Sequence, residues 1–238
     1  MRKRVAESGL LASLMLTGCS GPLSTLDPAG PHAAEVAWLW WGMLAFSVVV
    51  MLGVYFLWWR AMRRSGEHDS DAVAQGLQNR WVIAGGVALP TIAISVLLVF
   101  GIPVGHRMLP HATDGAMSIE IEARQWYWQV HYPDLDVTLI DEIHIPVDTP
   151  VNFQIRSEDV IHSFWVPRLG GKVDAIPGRV NQLRLQASET GSFQGQCAEY
   201  CGTGHAFMKF VIHAHDAEAY RNWQQQVSDD SEGRNESQ

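Results

Sequence analysis

The chain has 238 residues, 47% of them hydrophobic, and a formal net charge of −8. That length holds one sizeable domain with accessory segments, and the acidic balance speaks against a nucleic-acid partner and for a basic one. The hydrophobic average hides a division: the long uncharged runs lie before residue 106, and the remainder alternates short apolar segments with turns and charge.

With only three cysteines, each can be considered in turn. Cys19 closes the stretch Leu16-Thr17-Gly18-Cys19, which follows the basic start Arg2-Lys3-Arg4 and a short apolar run from Leu10 to Leu16. An exported, processed amino terminus has this form. The stretch resembles a bacterial lipoprotein signal. That resemblance implies a signal peptide over residues 1–18, cleavage before Cys19 and acylation of its thiol; an ordinary leader with an incidental cysteine is the alternative. Either way the mature chain starts outside the cytoplasm, with residues 19–32 as a periplasmic segment.

From Val36 to Trp59 no residue is charged. The run of roughly 24 residues exceeds the roughly 20 that a helix needs to cross the hydrocarbon core. Trp38, Trp40 and Trp41 crowd one end and Tyr55, Trp58 and Trp59 the other, as interfacial aromatic residues do. A first transmembrane helix is therefore expected over residues 33–59. A second is expected over residues 81–105, where an uncharged run contains Pro90 and should kink there. Arg60, Arg63, Arg64 and Arg80 lie between the two runs, so residues 60–80 form a cytoplasmic loop. Everything after the second helix then lies on the outer side.

That outer part, residues 113–227, has strand periodicity. Ile119, Ile121 and Ala123 share one parity, whereas Trp126, Trp128 and Val130 take the other, which predicts a bulge near Arg124 and Gln125. Val151, Phe153 and Ile155 alternate, as do Leu183, Leu185 and Ala187, and Met208, Phe210 and Ile212. Turn signals separate them at Asp148-Thr149-Pro150, Leu169-Gly170-Gly171, Pro177-Gly178 and Thr190-Gly191. Such spacing predicts an all-β Greek-key sandwich or barrel. Residues 228–238 are polar throughout and are expected to be a disordered tail.

The chemistry is concentrated between Gln196 and Met208. Cys197, Cys201, His205 and Met208 bring two thiols, an imidazole and a thioether into one loop, a soft donor set suited to copper. Cys201, His205 and Met208 alone have the order of a mononuclear blue-copper loop, and Cys197 is one thiolate too many for it. Two cysteines on one turn can each bridge two copper ions, which then share a single electron. A second imidazole is needed, and His162 is the best candidate; Met208 and the carbonyl of Glu199 would be weak outer ligands. Two other readings stay open at this stage. Cys197 and Cys201 could form a structural disulfide, or with His162 and His205 they could bind zinc tetrahedrally.

Gln125-Trp126-Tyr127-Trp128, Asp159 to Pro167, Lys172 to Arg179 and Gln196 to Met208 together resemble the motifs of cytochrome c oxidase subunit II, over roughly residues 30–225. The resemblance implies a two-helix membrane hairpin followed by a cupredoxin domain. It implies two copper ions held by His162, Cys197, the Glu199 carbonyl, Cys201, His205 and Met208, and electrons arriving from cytochrome c at Trp126. It further implies a magnesium ion on the Glu199 side chain at the boundary with subunit I, a haem acceptor in subunit I, oxygen reduction and proton pumping there, and subunit III as a further partner. Quinol oxidase subunits share this fold without the copper ligands.

Without the resemblance, Trp126 would be read as a core aromatic. Asp134, Asp136, Asp141, Glu142, Glu158 and Asp159 are candidates for a face that steers a basic cytochrome. Two departures from the family pattern stand out: Ala74 to Arg80 has no acid before the second helix, and no Cys-x-x-Cys-His haem attachment is present. His213 and His215 alternate on a strand and could clip a metal if a third ligand came near. His32, His68, His106, His111, His131 and His144 show no partner spacing. A membrane-tethered copper carrier, and the copper domain of a nitrous oxide reductase, are the competing functions; two membrane helices argue against the latter.

Overall fold

The computed structural model describes residues 19–63, 71–109 and 117–235. The signal expected over residues 1–18, His68, His111 and residues 236–238 lie outside them. Contacts divide the chain into one unit from Trp38 to His106 and another that joins the residues up to Ala37 with those from Arg107 onward.

The apolar unit is helical. Helix α1 (Pro31–Met62) contains the first uncharged run, and α2 (Asp71–Trp81) leads through a π-helical segment at Val82–Ala88 into α3 (Leu89–Arg107). The stretches Pro31–Met62 and Gln75–Arg107 are long and apolar enough to cross a membrane, and their most apolar windows are not buried within the protein. Side chains such as Val49, Leu52, Val99 and Phe100 point outward, as they would towards lipid. Pro90 sits in the first turn of α3. Its missing N–H leaves the preceding turn without a normal helical bond, and the backbone there widens: the Leu89 N–H donates to the Ala84 carbonyl five residues back. The irregularity expected at Pro90 is thus this π-helical segment.

Among the described residues the second unit is built on ten strands: β1 (Met117–Arg124), β2 (Tyr127–Tyr132), β3 (Val137–Ile140), β4 (Glu142–Pro146), β5 (Val151–Ser157), β6 (His162–Trp165), β7 (Val173–Ala175), β8 (Asn181–Leu185), β9 (Gly191–Cys197) and β10 (Lys209–His215). They form two five-stranded sheets, in the orders β3-β2-β1-β5-β8 and β4-β10-β9-β6-β7. The pairs β1·β5 and β4·β10 are parallel and the other pairs antiparallel. This is the cupredoxin sandwich.

Alternate residues fill the space between the sheets. Ile119, Ile121, Trp128, Val130, Phe153 and Ile155 of the first sheet and Ile143, Phe164, Phe193, Phe210 and Ile212 of the second belong to one buried cluster. Each such side chain contributes about 1.5–3 kcal/mol by leaving water. Phe164 stacks on Phe210 at 4.4 Å, and Trp128 meets both edge-on. Gly195 leaves room for the Phe210 ring: a Cβ there would lie 2.2 Å from the ring carbon Cζ. Gly195→Ala should therefore cost about 1–3 kcal/mol through overpacking. Denaturant titration checks this, and an unchanged midpoint would show that the ring yields freely.

Three sequence expectations need correction. The parity change near Arg124 is a tight hairpin, not a bulge. Arg124 pairs with Tyr127, so Gln125 and Trp126 form a two-residue turn between separate strands. Trp126 and Trp128 therefore do not share a face: Trp128 is fully buried and Trp126 is 40% exposed. Third, the segment from Ser228, expected to be disordered, continues helix α4 (Ala217–Asn235). Asp216 caps its start by accepting from the Glu218 and Ala219 amides. Tyr220 and Trp223 dock it, with Trp223 stacked on His144. Extending a nucleated helix through polar residues needs no apolar face.

The segment before α1 is also bound to this unit. The Ala29 amide donates to the Arg168 carbonyl, the Ser188 amide donates to the Ala29 carbonyl, and Arg168 Nε donates to the Asp27 carbonyl.

Candidate metal centre

His162 opens β6, Cys197 closes β9, and Met208 immediately precedes β10. Because β6, β9 and β10 are neighbours in one sheet, their ends converge although His162 precedes Cys197 by 35 residues. Phe164 pairs with Cys197. The Cys197 amide donates to the Met208 carbonyl at 3.0 Å, and the Ala198 amide donates to the Ser163 carbonyl at 2.9 Å. These backbone bonds hold the loop whatever side chains it carries. A short 3₁₀ turn, His205–Phe207, brings His205 back towards the cysteines.

Six donor groups meet there. Cys197 Sγ lies 3.8 Å from Cys201 Sγ, 3.9 Å from His162 Nδ1 and 3.2 Å from the Glu199 carbonyl oxygen. Cys201 Sγ is 3.7 Å from His205 Nδ1 and 3.8 Å from Met208 Sδ, and Met208 Sδ is 3.2 Å from His162 Nδ1. The cysteines are free thiols. Their separation is less than twice a metal–thiolate bond of about 2.3 Å, so one ion can touch both sulfurs. His162, Cys197 and Cys201 form a buried group able to hold a metal. Every ligand position named from the sequence is brought to this site.

The electrostatics suit cation binding. Burial opposes ionisation of Cys197, but hydrogen bonds from His162 and the adjoining backbone outweigh it and lower the thiol below its usual range. Burial, and then the Cys197 charge, push Cys201 up. A bound cation removes that conflict, because coordination deprotonates a thiol outright. Burial would lower the His162 imidazole, yet Cys197 and Asp159 hold it above its usual value.

Asp159 has a role that the sequence reading did not assign. Its Oδ1 is 2.8 Å from His162 Nε2, which turns Nδ1 towards the sulfurs. Its Oδ2 accepts from the Gln125 amide at 2.6 Å. Desolvation notwithstanding, these hydrogen bonds keep the carboxyl below the usual range. The i, i+3 spacing of Asp159 and His162 was the available signal. Of the other acids considered for docking, Asp141 is a structural residue: it takes a positive φ of 57° and its Oδ1 accepts from the Trp128 amide. Asp134, Asp136 and Glu158 remain exposed.

Trp126 rests on the same loop. Its Nε1 donates to the Cys201 carbonyl at 3.3 Å, beside the 2.7 Å bond from Gln125 Nε2 to the same oxygen. The indole packs so closely on Gly204 that an added Cβ would lie 2.4 Å from Trp126 Cδ2. The Glu199 side chain is exposed, and its Oε1 accepts from the Tyr200 amide.

Residues 135–215 match the family model described as cytochrome c oxidase subunit II, periplasmic domain. Cytochrome c oxidase subunit 2 of Alkalihalophilus pseudofirmus is 32% identical over 91% of this chain, which spans 66% of that relative's length. Ubiquinol oxidase subunit 2 of Acetobacter aceti is also 32% identical, over 96% of this chain and 77% of the relative. Among solved structures, the periplasmic domain of subunit II of the Bradyrhizobium japonicum cytochrome oxidase is 33% identical. It covers 52% of this chain and 99% of that domain, with a TM-score of 0.48.

Proposed function

Because this chain belongs to the cytochrome c oxidase subunit II family, we propose that it accepts electrons from cytochrome c and passes them to a haem in subunit I of a haem-copper oxidase. One observation carries the reading: His162, Cys197, the Glu199 carbonyl, Cys201, His205 and Met208 converge on one buried site. Similarity to both a cytochrome c oxidase and a ubiquinol oxidase subunit leaves the donor open, and this filled donor set favours the cytochrome. A thioether, a backbone carbonyl and two thiolates suit copper better than tetrahedral zinc. Held by these six groups, two copper ions would supply a centre that takes up and releases one electron with little rearrangement of its ligands.

The residues of the chain divide the work. His162 reaches Cys197 from β6 and His205 reaches Cys201 from within the ligand loop, and Asp159 holds the His162 ring in its ligating tautomer. Trp126, partly exposed and hydrogen-bonded to the Cys201 carbonyl, is the proposed point of electron arrival. The exposed Glu199 side chain is the proposed magnesium ligand facing subunit I. Oxygen reduction and proton pumping belong to subunit I, and subunit III is a further partner. Both apolar helices would cross the bacterial inner membrane with their connecting arginines inside. The β domain would then lie in the periplasm, with acylated Cys19 as a second anchor.

Electron paramagnetic resonance of the copper-loaded full-length protein in detergent tests the centre. Hyperfine splitting from two equivalent copper nuclei is expected. Splitting from a single nucleus, or copper refused in favour of zinc, would remove the basis for the assignment.

A further inference from the structure

Strands β4 and β10 carry a second group of ionisable side chains on the face of their sheet that turns away from the core. In this parallel pair His213 lies opposite His144, while Glu142 precedes His144 by two residues and His215 follows His213 by two. All four therefore share one face, opposite to Ile143, Ile145 and Ile212 in the core. None takes part in the sulfur-lined centre.

We propose that Glu142, His144 and His213 form a second metal site, for a borderline divalent cation such as Zn²⁺. Glu142 Oε1 faces both imidazoles, 3.1 Å from His144 Nε2 and 3.4 Å from His213 Nε2. Donors that share a tetrahedral ion at bonds of about 2.0–2.1 Å stand about 3.3 Å apart, so each carboxylate–imidazole pair already has ligand spacing. The opposite ring nitrogens are held as those of metal-bound histidines are. His144 Nδ1 lies 2.8 Å from His215 Nε2, and His213 Nδ1 lies 2.9 Å from Ser192 Oγ. Trp223 stacks on His144 at 4.4 Å and fixes its plane.

The protonation state of His144 agrees with this geometry. Burial, reinforced by His213 and His215 against the opposing pull of Glu142, pushes the His144 imidazole down to about 4. It is therefore neutral, as a ligand must be. Among the described residues only His162, Cys197 and Cys201 have ligand atoms all within 4.8 Å of one another; both Glu142 contacts are already shorter than that, so a cation here must draw His213, and Glu142 with it, closer to His144. Both can move: their side chains are 31% and 52% exposed, whereas that of His144 is 11% exposed. Two imidazoles and a carboxylate, without sulfur, suit zinc and leave a position for water. The two sites differ in donor softness, so each would select its own metal.

Zinc titration of the full-length protein in detergent, after copper has filled the sulfur-lined loop, tests the proposal. Calorimetry should detect one zinc per chain, and X-ray absorption at the zinc edge should show imidazole and oxygen donors without sulfur. His213→Ala and Glu142→Gln, at a half-buried and an exposed position, should each weaken binding by more than about 100-fold, and Ser192→Ala by about 10-fold. Circular dichroism verifies that the variants stay folded. No zinc uptake beyond the copper centre, sulfur in the zinc shell, or unchanged affinity in His213→Ala and Glu142→Gln would overturn it.

Discussion

Cys197→Ser should abolish the two-copper signal and slow the oxidation of reduced cytochrome c by the assembled complex by more than about 100-fold, beyond what the loss of an outer-shell partner costs. A serine oxygen is a hard donor and a poor bridge between soft ions. The fold should survive, because the amides of Cys197 and Ala198 keep their bonds to the Met208 and Ser163 carbonyls. The core aromatics Phe164 and Phe210 also stack independently of the loop's donors. Circular dichroism and the electron-transfer rate are measured on the same preparation. A folded variant that transfers electrons at the unsubstituted rate would sink the proposed route.

Gly204→Ala should separate metal binding from electron arrival. Gly204 has φ −87°, which any residue adopts, so the substitution acts through space alone. The new Cβ would lie 2.4 to 2.8 Å from three atoms of the Trp126 ring, closer than packed carbon atoms stand. The indole must leave its seat and lose its bond to the Cys201 carbonyl, while all six metal-binding groups remain. The expected result is an unchanged copper spectrum with electron uptake from cytochrome c slowed by about 100-fold, the scale of an ångström-sized misplacement. Stopped-flow mixing with reduced cytochrome c reads it. Uptake at the normal rate with the ring displaced would take Trp126 off the route.

Much of this was legible in the chain itself, for identifiable reasons. A run of apolar residues long enough to span hydrocarbon is a local property, so both apolar helices could be read without any tertiary knowledge. The soft donor loop was equally readable, because Cys197, Cys201, His205 and Met208 fall within one short loop and their order restricts the metals they can hold. The alternation of Val151, Phe153 and Ile155 reported a half-buried strand in the same local way.

Long-range pairing decided the rest. His162 could be named from the sequence as the second imidazole, but how it meets the two cysteines depended on β6 lying beside β9, a contact between segments far apart in sequence. The same distance hid the work of Asp159, which spans from His162 to the Gln125 amide. His144, passed over as a residue without partners, acquired them through its parallel register with His213. The tail from Ser228 looked disordered because composition records no docking, and the cap at Asp216 and the stacking of Trp223 on His144 arise only once the sheet exists. Sequence alone thus determined the two long apolar helices, the strand character and the soft donor set, since spacing along one segment carries them. Only the tertiary structure decided what surrounds those donors and what gathers on the far face of the sheet, because backbone hydrogen bonds between distant strands set which side chains become neighbours.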